Sequence, residues 1–121
     1  DDILLGGFGD DALTGGLGND TFKWEAGETG TDIITDWGTG TNILDLSDLL
    51  QGETTATLDD FLDFSYDTNT TKTTLTIDVD GSGGGADQQK IVFDNVDLTQ
   101  LGNDNQAIIT NLLGTNQLIT D

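Results

Sequence analysis

Gly6-Gly7-Phe8-Gly9-Asp10-Asp11-Ala12-Leu13-Thr14 runs directly into Gly15-Gly16-Leu17-Gly18-Asn19-Asp20-Thr21-Phe22-Lys23. The two blocks share glycine at the first, second and fourth positions, aspartate at the sixth and a large apolar residue at the eighth, at an interval of nine residues. Asp1-Asp2-Ile3-Leu4-Leu5 keeps the same phase, with Asp2 and Leu4 at the aspartate and apolar positions. It reads as the back half of an earlier copy, so the chain is expected to begin inside a repeat of something longer. A single Gly/Asp-rich stretch would be an ordinary loop or linker, because such pairs mark turns everywhere. Five positions recurring in register demand more than that.

The spacing has a physical reading. Glycines at the first, second and fourth positions let the backbone adopt positive φ and turn tightly, with carbonyls facing inward. The aspartate adds a carboxylate to that ring of oxygens. Hard oxygen donors, roughly six to eight of them, are what Ca²⁺ prefers. The apolar eighth residue (Leu4, Leu13, Phe22) falls in a short strand and points between two sheets. Two units complete one coil, so alternate turns stack on one side. Asp2 and Asp20 are then expected to flank one ion, and Asp11 to share another with the turn that follows Lys23.

Charge points the same way. The chain carries 23 acidic residues against 3 lysines, a net charge of −20, with no histidine, cysteine or proline. Such a chain repels itself when compact, and bound divalent cations relieve that repulsion. Nucleic acid and anionic lipid both require cations of their partner, so neither suits it. Without cysteine or histidine there is no disulfide framework, thiolate zinc site or Ser-His-Asp triad. No apolar run is long enough for a membrane span, and the start does not resemble a signal peptide.

The rest of the chain reads mainly as strands. Asp20–Trp24 closes the regular repeat, Glu25–Gly30 is an irregular turn, and Thr31–Trp37 and Asn42–Leu46 are strands. Ser47 caps a helical turn through Leu50, and Thr57 caps a short helix over Leu58–Leu62. Phe64–Asp67 is a strand. Lys72–Val79 alternates cleanly and pairs antiparallel with Gln89–Phe93. Asn103 or Asp104 caps a helix with an apolar stripe at Ala107, Ile108, Ile109 and Leu112, ending at Gly114, and Asn116–Thr120 is a last short strand. Phe22, Trp24 and Trp37 are expected in the core.

Asp78-Val79-Asp80-Gly81-Ser82-Gly83 matches the first half of an EF-hand loop. The twelfth position is Gln89 instead of a bidentate glutamate, and the flanks are strand-like. An acidic hairpin loop is the favoured reading, with a weak calcium site at Asp78, Asp80 and Ser82 as the alternative.

The tandem repeats, followed by Asn19–Trp24, Gly30–Trp37 and Asn42–Leu50, resemble the C-terminal RTX region of bacterial type I-secreted proteins. The Thr74–Asp80, Ile91–Leu98 and Leu112–Asp121 segments resemble the secretion-target domain of very large repeat adhesins. Trp37 replaces a common phenylalanine and Asn42 a frequent aspartate, which puts a ligand role at Asn42 in doubt.

The resemblance implies a mainly β fold. Residues 1–37 would form a parallel β-roll (a β-solenoid) with its terminal strand, continuing into a β-rich cap over residues 38–121 with one or two short helices. The whole is expected to be one continuous unit. By the family's pattern the calcium ligands would be Asp2, Gly6, Gly7, Gly9, Asp11, Gly15, Gly16, Gly18 and Asp20, with Asp32 and Asp36 as terminal ligands. Asp45 would instead be a structural cap.

The implied role is a calcium-dependent folding and export module of a Gram-negative bacterium, secreted or at the cell surface. It would be read by an ABC transporter and an outer-membrane channel, as a monomer without stable membrane insertion. The parent would be a large adhesin. The alternatives are the RTX tail of a secreted protease, lipase or epimerase, and a glycan- or ice-binding module using the Thr-rich stretch Thr68–Thr76. No catalytic constellation is present, so any activity would lie upstream of Asp1.

Overall fold

The computed structural model describes residues 3–7, 9–25, 30–37, 40–48, 61–78, 88–102 and 104–120. Five short strands open the chain: β1 (Ile3–Leu5), β2 (Ala12–Leu13), β3 (Thr21–Lys23), β4 (Gly30–Ile34) and β5 (Ile43–Asp45). Four longer or later ones follow: β6 (Leu62–Asp67), β7 (Lys72–Asp78), β8 (Gln88–Asp94) and β9 (Leu118–Ile119), with helix α1 (Asn105–Gly114) before the last. Successive early strands alternate between two sheets. The first sheet runs β1-β3-β5-β9 and the second β2-β4-β8-β7-β6.

The nine-residue period accounts for the alternation. One repeat carries the chain across to the other sheet, and two return it, so Ile3 lies parallel to Thr21, 18 residues on; the next return is longer, and Thr21 lies parallel to Ile43. Ala12 likewise lies parallel to Ile33. Leu4, Phe22, Leu44 and Leu118 form one inward row of the first sheet. Leu13, Ile34 and Phe93 form the facing row of the second. Trp37 lies between them, edge-on to Phe93 at 5.2 Å and tilted against Phe22 at 6.2 Å between ring centroids. Phe22, Trp24 and Trp37 are all buried. Side chains of this size each contribute a few kcal/mol on burial, about 1.5–3 for a phenylalanine.

The expectation of a solenoid needs correction at the level of the whole molecule. The first sheet is parallel throughout, but the second is mixed. β8 joins β4 in parallel, with Ile33 opposite Val92, while β6, β7 and β8 run antiparallel to one another. The reason is in the chain: Leu62–Asp67 and Lys72–Asp78 alternate apolar and polar residues across a four-residue turn, which favours hairpin pairing over a further coil. Both sheets draw strands from either side of residue 37.

The helix is held at its start by Asp104, whose carboxylate accepts the Ala107 N–H at 2.8 Å. Ile108, Ile109 and Leu112 are its buried face. Gly114 is its last residue, and the left-handed residue beyond it is Asn116, at φ 60°. Asn105 ties it to β6, accepting from the Phe64 N–H at 2.9 Å and donating to Asp63 at 2.9 Å. Of the short helix expected over Leu58–Leu62, residues 58–60 lie outside the described residues and Leu62 already belongs to β6. No described helix is long and apolar enough to cross a membrane.

Candidate metal centre

The glycine-rich repeats form the turns that join the sheets. Gly7, Gly9, Gly16 and Gly18 sit at φ of 77°, 88°, 85° and 100°, the left-handed region that side chains disfavour. Each repeat turn ends in Gly-x-Asp: Gly9-Asp10-Asp11 and Gly18-Asn19-Asp20. Two further Gly-x-Asp/Asn segments, Gly30-Thr31-Asp32 at the start of β4 and Gly40-Thr41-Asn42 just ahead of β5, stack on the first two.

The stacking bonds repeat residue for residue. Asp10 accepts from the Thr31 N–H and Asn19 from the Thr41 N–H, each at 2.8 Å. In the other direction Asp32 accepts from the Asp11 N–H at 2.7 Å, and Asn42 from the Asp20 N–H at 2.8 Å. A Cβ on Gly30 would collide with the Gly9 carbonyl, and one on Gly40 with the Gly18 carbonyl. The sequence reading ended an irregular turn at Gly30 and began strands at Thr31 and Asn42, and β4 (Gly30–Ile34) agrees with it; the stacking of these segments on the repeat turns was not foreseen. The signal for the stacking was the recurring Gly-x-Asp/Asn, masked because the intervals from Gly18 to Gly30 and from Gly30 to Gly40 are 12 and 10 residues instead of nine.

The proposed ligands divide by environment. Asp11 lies beside its own turn, with a carboxylate oxygen 3.9 Å from where a Gly7 Cβ would stand. Asp20 is wholly buried, and its carboxylate fills the space that a side chain on Gly15 would occupy. That cradle places a carboxylate directly against the glycine-rich backbone. The indole of Trp24 packs in the same way over Gly6. Asp36 accepts from the Gly15 N–H at 3.0 Å and the Gly16 N–H at 2.6 Å, a carboxylate seated in two successive amides. Asp32 accepts not only from Asp11 but from Trp24 Nε1 at 2.6 Å and Gln89 Nε2 at 2.9 Å. Burial lifts its carboxyl above the ordinary 3.8, and the hydrogen bonds from Trp24, Asp11 and Gln89 pull the other way.

Asp2, Asp80 and Ser82 lie outside the described residues, as does the side chain of Asp78, whose backbone pairs with Gln88 at the end of the β7–β8 hairpin. Gln89, the twelfth position of the EF-hand-like stretch, is buried with its amide turned to Asp32. Asp45 caps the following turn, accepting from the Ser47 N–H at 3.0 Å and its hydroxyl at 2.6 Å. Lys23 reaches Asp48 at 3.1 Å and Asp45 at 3.8 Å, and the hydrogen bond to Asp48 raises its pKa above 10.5.

Among the described residues no three acidic side chains converge. A cation at these turns would therefore take most of its ligands from backbone carbonyls, one carboxylate per turn completing the set. That donor set is all hard oxygen, and the Asp20 carboxylate set in the Gly15 cradle suits calcium.

A family model described as peptidase M10 serralysin C terminal matches residues 2–109, most of the chain. No curated protein matches it. The chain belongs to the serralysin C-terminal family, a family of RTX-type calcium-binding repeat domains.

Proposed function

We propose that this chain is the calcium-dependent folding and export module of a type I-secreted RTX protein, and that its glycine-rich turns begin a parallel β-roll. The observation that carries the reading is the pair of glycine-rich segments at residues 6–11 and 15–20, which recur at a nine-residue interval. Their glycines hold positive φ, and the Asp20 carboxylate is set into the space at Gly15. Bound calcium supplies positive charge to carbonyl and carboxylate oxygens that would otherwise repel one another. The ligands proposed are Gly6, Gly7, Gly9, Asp11, Gly15, Gly16, Gly18 and Asp20, with Asp2 from the preceding turn.

The chain's own residues make folding conditional. At −20 the compact state is self-repelling, and short strands such as β1 and β2 have few bonds with which to resist it. A site filled at a hundredfold excess over its Kd contributes about 2.7 kcal/mol, so two or three sites reach the range of a whole domain's stability. A cytosol poor in calcium would keep the repeat turns open for passage through an ABC transporter and outer-membrane channel, and the calcium outside a Gram-negative cell would close them.

The parent protein proposed from the later segments is a large surface adhesin, with the module itself non-catalytic. A second reading, the tail of a secreted enzyme, is favoured by one observation: the matching family is described by a peptidase's C-terminal part.

Amide hydrogen exchange and circular dichroism, each with calcium and with EDTA, test the switch. Amides of Gly7–Asp20 should gain protection with calcium. Identical protection and spectra in EDTA would reject it.

A further inference from the structure

The first sheet ends in a strand that it holds from one side. Among the described residues β9 pairs with β5 and with no other strand, Leu118 beside Leu44 and Ile119 beside Asp45. β5 in turn lies against β3 on its other flank. We infer that β9 docks only when calcium closes the turn over residues 15–20, because β5 couples the two. β9 lies in the segment that resembles a secretion-target domain. That segment is therefore presented to the export partner in low calcium and folded away in high calcium. This deepens the export reading above and rests on its calcium switch.

Asn42 is the joint. It is buried, its Oδ1 accepts the Asp20 N–H at 2.8 Å, and its carbonyl accepts from Gln117 Nε2 at 3.3 Å. Its Nδ2 donates to the Trp37 carbonyl at 2.7 Å, which fixes the side chain between those contacts. The next residues repeat the bridge through the backbone. The Ile43 N–H donates to the Asp20 carbonyl and the Leu44 N–H to the Gln117 carbonyl, each at 2.8 Å. The Leu46 N–H reaches the Ile119 carbonyl at 2.8 Å as well. One three-residue strand thus separates the buried aspartate of the repeat turn from the residue that leads into β9.

Strands this short are not ordered by their own bonds and need partners on their flanks. Opening the turn over residues 15–20 withdraws the Asp20 N–H and carbonyl from Asn42 and Ile43. β5 then loses a flank, and β9 loses the strand on which it lies. Docking also conceals. Leu118 stands in the inward row beside Leu44, and both it and Thr120 are buried. The Gln117 N–H is taken up by the Leu112 carbonyl in the last turn of α1, at 2.9 Å. A partner that reads these apolar side chains and their backbone meets them only in the open state.

Thiol labelling and amide exchange on the whole chain test this. The chain has no cysteine, so Leu118→Cys and the exposed control Gln100→Cys each carry a single thiol. Between EDTA and saturating calcium, maleimide labelling of Leu118→Cys should slow by about a hundredfold, the shift supplied by one site filled at a hundred times its Kd. Labelling of Gln100→Cys should not change. In the wild type the amides of Leu44 and Leu46 should gain protection over the same calcium range as those of Gly15–Asp20. Coupling is reciprocal, so Leu118→Ala should raise the calcium midpoint for Gly15–Asp20 protection by on the order of tenfold. If Leu118→Cys labelling and exchange at Leu44 and Leu46 ignore calcium while Gly15–Asp20 respond, the inference is overturned and the calcium reading stands. No response to calcium at either place overturns both.

Discussion

Gly30 and Gly16 separate two reasons for a glycine. Gly30 sits at φ 136°, and a Cβ there would run into the Gly9 carbonyl of the turn stacked on it. Gly16 sits at φ 85° with nothing within 4 Å of the same point. Gly30→Ala should therefore cost on the order of 3 kcal/mol, backbone strain and collision together. Gly16→Ala should cost about 1 kcal/mol, the left-handed penalty alone. Urea denaturation in saturating calcium compares them, and equal costs would contradict the close stacking of the two turns. The nine-residue pattern marked Gly16 from the outset. The sequence marked Gly30 as the end of a turn but not its collision, because that constraint is a carbonyl 21 residues earlier in the chain.

Asp32 belongs to the scale of elements, since it joins the turn over residues 6–11, Trp24 and β8 through one carboxylate. Its folded pKa is raised above 3.8, with burial the largest cause. A carboxyl raised by folding binds its proton more tightly folded than unfolded. Its contribution is thus most favourable below 3.8 and declines as pH rises through the raised value. The stability of the wild type minus that of Asp32→Asn, measured by urea unfolding in EDTA from pH 4 to 7, should fall as pH rises. A difference that grows with pH would contradict the assignment. At this scale the hairpin of β7 and β8 and the Asp104 cap of α1 were legible, because alternation and capping are properties of neighbouring residues. The resemblance assigned Asp32 a ligand role. The N–H groups around it come from residues as much as 57 positions away, and no window on the sequence contains them.

The whole molecule is held across its two sheets by Phe22, Trp37 and Phe93, one from each sheet and one between. Phe93→Ala leaves a cavity against Trp37 and should cost about 4 kcal/mol in calcium and EDTA alike. Urea unfolding followed by tryptophan fluorescence measures it; a loss confined to calcium would mean that the core forms only with the metal. What the sequence by itself determined is the β-rich character and the early alternation between sheets: glycines at a fixed interval turn the chain, and alternating apolar residues place Phe22 and Leu13 between two sheets. Those are consequences of backbone freedom and period-two strand geometry, and they act over a few residues. Only the tertiary structure decided that β8 continues the second sheet beside β4, that Gly30-Thr31-Asp32 and Gly40-Thr41-Asn42 stack on the repeat turns, and that the β7–β8 hairpin joins the same sheet as β2 and β4. Insertions break the interval at those places. There the partners are chosen by which distant backbone amides and buried carboxylates can satisfy one another once the chain has closed on itself.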